Sequence, residues 1–215
     1  MTQLTLTFDN GPWSDGGTDA ILDSLAKRDL KATFFVVGNR LADPSTRRRA
    51  ERAHAEGHWI GNHTLSHSKP LGLFENSSEA VDEIRRAEDA LGELAHPDRF
   101  FRPPGKGRLG HHLLNRPAAD YLQAQHYTVV TWNNVPRDWE DQNGEWVDTA
   151  IKTALAQTAS VLVVHDHHLK RMPGTLERFL DQAAENNIEI VQEMPVECTP
   201  LIKGIPTDLF EQFIS

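Results

Sequence analysis

The chain has 215 residues, 25% charged and 39% hydrophobic, an ordinary globular composition that excludes a disordered or membrane-embedded class, and no apolar run approaches the length of a bilayer span. Its formal net charge of -9 leaves no general attraction for nucleic acid or anionic lipid and favours a neutral or cationic substrate over a polyanion. No low-complexity linker divides residues 1–215, so a single domain is expected; the one cysteine, Cys198, excludes an internal disulfide and fits a reducing compartment.

A strand begins within a few residues of the N-terminus, which leaves no room for a secretory signal, and a cytoplasmic location is expected. Leu4, Leu6 and Phe8 alternate with Thr5 and Thr7, and Gly11-Pro12 break this strand directly after Asp9 and Asn10. Two polar groups are thus delivered to a strand's carboxyl end, the edge where loops converge in sheets flanked by helices. Asp-Asn-Gly is also plain turn chemistry, so the pair has a purely structural reading too. Thr18 to Arg28 carries Ile21, Leu22 and Leu25 at helical spacing, and Lys31 to Val37 is a buried strand. Pro44 to Glu56 reads as a charged helix ended by Gly57, and Trp59-Ile60-Gly61 as a short strand leading into His63 to His67. Ser77 or Ser78 is expected to cap a helix running to about Leu94, and Arg99-Phe100-Phe101 is the next strand, stopped by Pro103-Pro104. The clusters Arg47-Arg48-Arg49 and Arg85-Arg86 fall in helical patterns and read as solvated faces.

Pro117 to Gln125 reads as a helix, Tyr127 to Trp132 as a strand, Glu145 to Ala156 as a helix, and Val161 to Val164 as an apolar strand ending at His165. Thr175 to Glu185 and Ile188 to Val191 close the series. About seven strand and helix alternations, with helices too short for a bundle, predict an α/β fold whose parallel strands close or nearly close into a barrel. The tail from Glu193 to Ser215, with Pro195, Pro200 and Pro206, is expected to wrap the outside.

Polar clusters fall at the ends of several of these strands, and in a barrel such ends share one rim. His63 and His67 have the i, i+4 spacing that lets two imidazoles bind one metal from a helical turn; His54 and His58 have the same spacing and serve as a control. Arg102 leaves a buried strand and needs an acid, for which Asp9 is the natural partner, in a catalytic or a purely structural pair. His165 is either a satisfied core histidine or a catalytic acid whose tautomer Asp138 fixes. Gly105-Lys106-Gly107 lacks the glycine and the Ser/Thr of a phosphate-binding loop, and no Gly-x-Ser-x-Gly elbow occurs. Trp13, Trp132 and Trp139 lie by the presumed rim and are placed to stack on sugar faces, while Trp59 and Trp146 read as packing.

Five pieces in this order, Thr7 to Pro12, His63 to His67, Arg102 to Gly105, Asp138-Trp139 and Leu162 to His165, resemble the motifs of the polysaccharide deacetylase family, the family-four carbohydrate esterases that include nodulation-type chitooligosaccharide deacetylases. The resemblance implies a distorted (β/α) barrel and a divalent metal, usually zinc, with cobalt, nickel or manganese as alternatives, that removes acetyl groups from an N-acetylated saccharide. It makes Asp9 the general base, Arg102 its orienting partner, His165 the general acid and Asp138 the partner of that acid. Asn10, His63 and His67 would hold the metal, and Gly105, Trp139, Trp13 and Leu162 would contact substrate. No nucleic-acid partner or membrane insertion is implied, and oligomeric state stays open. Three departures stand out: Asn10 replaces a second aspartate, an aromatic before Gly105 is missing so that Gly105 supplies the oxyanion-binding N–H, and an earlier aspartate of the fourth motif is replaced near Val135. Two other readings remain: a sugar-binding protein that has lost the metal, favoured by Asn10, and a hydrolase of another amide or ester, such as an O-acetyl sugar or a cyclic amide.

Overall fold

The computed structural model describes residues 2–215. Seven parallel strands carry the architecture: β1 (Thr2–Asp9), β2 (Thr33–Val36), β3 (Trp59–Asn62), β4 (Phe100–Phe101), β5 (Thr128–Val129), β6 (Ala159–His165) and β7 (Ile188–Val191). Between them run helices α1 (Gly17–Ala26), α2 (Pro44–Ala55), α3 (Ser77–Leu91), α4 (Arg116–Ala124), α5 (Trp146–Leu155), the short α6 (Asp166–Arg171) and α7 (Thr175–Glu185). The sheet order is β6-β1-β2-β3-β4-β5, and a C-terminal hairpin of β8 (Leu201–Ile202) and β9 (Ile205–Pro206) extends it antiparallel to β5.

β1 is the organising strand. It pairs with β6 from Gln3↔Ala159 to Asp9↔His165, while its first half also pairs with β7 and its second half with β2. Its alternation decides which side each residue serves: Leu4, Leu6 and Phe8 pack outward among α1, α5 and α7, and Thr7 and Asp9 reach Arg102 on the other face. On the far side the sheet curls until Asn134, just past β5, meets β6. There Asn134 N–H donates to Val161 O and Val163 N–H to Asn134 O, at 3.1 and 3.0 Å, so the distorted barrel closes through a single bridge.

Local sequence explains the helix starts. Pro44 at the first turn of α2 follows the Asp43 cap, and Asn115 caps α4. The cap of α3 is Asn76, which accepts from Ser78 N–H, rather than Ser77 or Ser78. α3 ends at Leu91, and Gly92, at φ 54°, turns the chain into a single 3-10 turn. β5 is shorter than the apolar run Tyr127 to Trp132, because Thr131 N–H leaves the strand ladder for Cys198 O at 2.7 Å. The helix α6 was not expected from periodicity. The tail, expected on the outside, adds β8 and β9 and buries Cys198, Leu201, Phe210, Phe213 and Ile214 against α4, β5 and Val161 and Val163 of β6.

Candidate functional site

The parallel ladder delivers the polar strand ends to one place, a cavity of about 300 Å³ whose lining includes Asp9, Asn10, His63, His67, Gly105 and His165. Asp9 and His165 are register partners on adjacent strands and so face the cavity side by side. Arg102, fully buried, donates from one Nη to Asp9 Oδ1 at 2.8 Å and to Thr7 Oγ1 at 2.7 Å. Its remaining nitrogens donate to the carbonyls of Val130 and Thr131, and its guanidinium lies 4.0 Å from the centre of the Phe35 ring. Four of its five N–H donors are thereby engaged, and Asp9 Oδ2 is left as the carboxylate oxygen that Arg102 does not hold. Burial pushes the Asp9 carboxyl up, but the charge of Arg102 and then the nearby imidazoles outweigh it, so the group lies below its ordinary value and is ionised.

His165 is the complement. Its Nδ1–H donates to Asp138 Oδ1 at 2.9 Å, while the other Asp138 oxygen accepts the backbone N–H of His165 at 2.8 Å. Burial lowers the imidazole's proton affinity, yet the Asp138 charge and hydrogen bond, with Asp9 and Asp166 adding to them, carry it above its ordinary value. With Nδ1 engaged, Nε2 is the nitrogen that faces substrate. The sequence left His165 between core residue and acid; the buried carboxylate beside it and its place on the cavity favour the acid.

His63 Nδ1 lies 2.7 Å from Arg102 O, and a carbonyl can only accept, so Nδ1 carries the hydrogen and Nε2 presents a lone pair. Burial drives this imidazole's pKa down to about 3, and burial lowers that of His67 as well, so both rings are neutral donors. The two rings sit 4.7 Å apart between centroids, but not on a helical turn: Thr64 at φ 66° and His67 at φ 53° fold the segment as an irregular loop. The control pair does not converge, since His54 is an exposed residue of α2 while the buried His58 accepts Ala32 N–H at its Nδ1. Among the described residues no three His, Cys, Asp or Glu side chains form a metal-holding group. Asn10 lines the same cavity, and its Oδ1 is buried without a hydrogen-bond partner, on a backbone at φ 69° that an asparagine tolerates. Two neutral imidazoles and an orphaned amide oxygen fit a divalent cation.

The wall opposite the histidines is apolar. Trp132, Val163 and Trp139 line it, and Trp139 meets His165 edge-on at 5.4 Å. Gly105 is buried there, and among the described residues its N–H has no acceptor; a Cβ on it would collide with the Trp132 ring. Two expected substrate contacts are corrected. Leu162 points outward into the core with Leu6 and Val164, because the residue two before His165, and so on its face, is Val163. Trp13 is absent from the lining, its ring held between the Arg40 guanidinium, 3.4 Å from its centre, and His167, 4.6 Å away. Val163 was recoverable from the period of two, whereas His168, also on the lining, belongs to the unforeseen α6.

Comparison with known proteins agrees with this geometry. A family model described as polysaccharide deacetylase matches residues 2–130. A peptidoglycan-N-acetylglucosamine deacetylase of Bacillus cereus is 33% identical over 187 residues, which are 84% of this chain and 62% of that protein. A chitooligosaccharide deacetylase of Rhizobium leguminosarum bv. trifolii is 32% identical over 165 residues, 76% of this chain and 71% of the relative. A solved peptidoglycan N-acetylglucosamine deacetylase in complex with 4-naphthalen-1-yl-N-oxidanyl-benzamide superposes with a TM-score of 0.70 at 29% identity, covering 88% of this chain and 85% of the other. The chain spans under two thirds of the Bacillus cereus protein and only 32% of a Bacillus subtilis relative. With a family model matched over more than half its length, a barrel shared with a solved member, and the five motifs meeting in one cavity, the chain belongs to the polysaccharide deacetylase family.

Proposed function

We propose that this protein hydrolyses the acetamido group of N-acetylated saccharides with the help of a divalent cation, most simply zinc, held by Asn10, His63 and His67. The observation that carries this reading is the pair Asp9 and His165, adjacent in register on one cavity, one shifted toward the ionised form and the other toward the protonated form. A divalent cation bound to those three donors supplies Lewis acidity toward the acetyl carbonyl oxygen and toward a water. Asp9 takes the water's proton at Oδ2, since Oδ1 is held by Arg102. The Gly105 N–H points its dipole at the carbonyl oxygen as negative charge develops there. His165 keeps one proton on Nδ1 against Asp138 and gives a second, from Nε2, to the departing nitrogen. The water's oxygen ends on the acyl carbon and the C–N bond breaks, leaving acetate and a free amine. Trp132, Val163 and Trp139 enclose the methyl group.

Acetate released from an N-acetylglucosamine oligomer by zinc-loaded protein tests the proposal. Asp9→Ala lowers the rate at least about 100-fold, the usual worth of a general base; a full rate in that variant overturns the mechanism. A non-catalytic sugar-binding role is the second reading, and the neutral Asn10 in the donor set is what favours it. It wins if the zinc-loaded protein binds the oligomer and releases no acetate.

A further inference from the structure

Gly105-Lys106-Gly107-Arg108 matched no phosphate-binding pattern, and nothing in the hydrolytic mechanism uses its cations. In the structure it is a built feature of the cleft. Arg108 N–H donates to Gly105 O at 3.0 Å, and Lys106 and Gly107 both sit in the left-handed region at φ 50° and 71°, the geometry of a tight reverse turn with Lys106 and Gly107 at its tip. The turn is wedged between the two tryptophans of the acetyl wall. Gly105 abuts Trp132, and a Cβ on Gly107 would lie 3.0 Å from the Trp139 ring. Lys106 lines the cavity, is exposed, and makes no ion pair among the described residues.

The charges around it show what that lysine faces. Among the described residues Asp9 is the one carboxylate of the cavity lining and it is paired with Arg102, while Asp138, off the lining, is paired with His165. No carboxylate is left for Lys106, and Arg108 beside it is also exposed and unpaired among the described residues. On a chain of net charge -9 these are two exposed cations without an ion pair among the described residues, one of them on the cavity lining.

We propose that Lys106 recognises a carboxylate carried by the saccharide beside its acetamido group, making this protein selective for acidic N-acetylated sugars over neutral ones. This rests on the deacetylase reading for its rate measurements but not for its binding measurements. The probes are an oligosaccharide containing N-acetylmuramic acid, which carries a lactyl carboxylate, and an N-acetylglucosamine oligomer of equal length; a phosphorylated N-acetylglucosamine oligomer distinguishes a carboxylate from any anion. The parent and Lys106→Met, which keeps the aliphatic stem, are compared by KM for acetate release and by calorimetric Kd. The proposal predicts that the ratio of acidic to neutral KM, or Kd, rises about fivefold in Lys106→Met, the worth of one partly exposed ion pair. Lys106→Glu raises it further, and added salt shrinks the parent's preference. If neither saccharide is hydrolysed, the deacetylase reading fails while the Kd ratio still decides on Lys106. An unchanged ratio, a parent that binds neither saccharide, or a gain confined to the phosphorylated oligomer overturns the proposal.

Discussion

Asn10 concentrates the chemistry of this site in one atom. Its Oδ1 is buried without a partner, a condition that costs about 1–3 kcal/mol in a folded protein unless something else meets the oxygen. A cation does so. Asn10→Asp places an anion at the same point with almost no change in volume and on a left-handed backbone that aspartate also tolerates. The variant is expected to bind zinc about 10–100-fold more tightly, at least as much as outer-shell changes alter metal affinity, and to retain it through dialysis that strips the parent. Calorimetry checks this, and equal affinities would mean that position 10 does not face the metal. The added charge also makes a bound water less acidic, so activity is expected to rise at limiting zinc and to fall at saturation.

At the scale of elements, β2 and β3 are joined by more than their ladder. His58, just before β3, accepts the N–H of Ala32, just before β2, and only a neutral imidazole can accept there. Burial holds its pKa down to about 4, below the ordinary value of 6.5. A depressed folded-state pKa contributes stability that is fully present above the unfolded value and is lost as pH falls through the folded one. The window therefore runs from about 6.5 down to about 4. The stability lost between pH 7.5 and pH 5 in urea denaturation is expected to be about 1–2 kcal/mol smaller in His58→Gln, which keeps an acceptor but does not titrate, while the buried His63 and His67 contribute equally to both proteins. A pH dependence identical in the two proteins would remove His58 from the account. The same elements show what patterning reveals in advance. The period of two in Leu4 to Asp9 and the apolar runs that became β2, β6 and β7 placed most strands, because each is long enough to carry a pattern and has a buried face. α6 escaped notice because its six residues carry a single apolar one, Leu169, and so no stripe, and with it went His168. In the site, Asp9, His63, His67, Arg102 and His165 were readable as strand-end residues. Leu162 and Trp13 were misplaced, since a motif names a segment while the facing of each side chain depends on register and on what stacks against it.

Over the whole molecule, the tail decides whether the sheet is sealed. Cys198, Leu201, Phe210, Phe213 and Ile214 lie in one cluster with Val129 of β5 and Val161 and Val163 of β6, on the side where the barrel closes through the Asn134 bridge and the Asn133 side chain, which accepts Val161 N–H and donates to Ala159 O. Five buried apolar side chains at about 1.5–3 kcal/mol for each large one are comparable with the entire stability of a domain. A protein ended after Gln192 is expected to lose its cooperative urea transition and to bind a hydrophobic dye, and a truncated protein that melts like the parent would show the tail to be dispensable. The forked pairing of β1 has a consequence for how the molecule is made. Within these residues β1, with Asp9, precedes by most of the sequence its neighbour β6, with His165, and the β7 that supports its other edge, and the residues that seal the gap come later still. As these residues are made, Leu4, Leu6 and Phe8 gain α1 and β2 early but wait for α5, β6 and β7 to complete their cover, and Asp9 meets His165 only once β6 has been added.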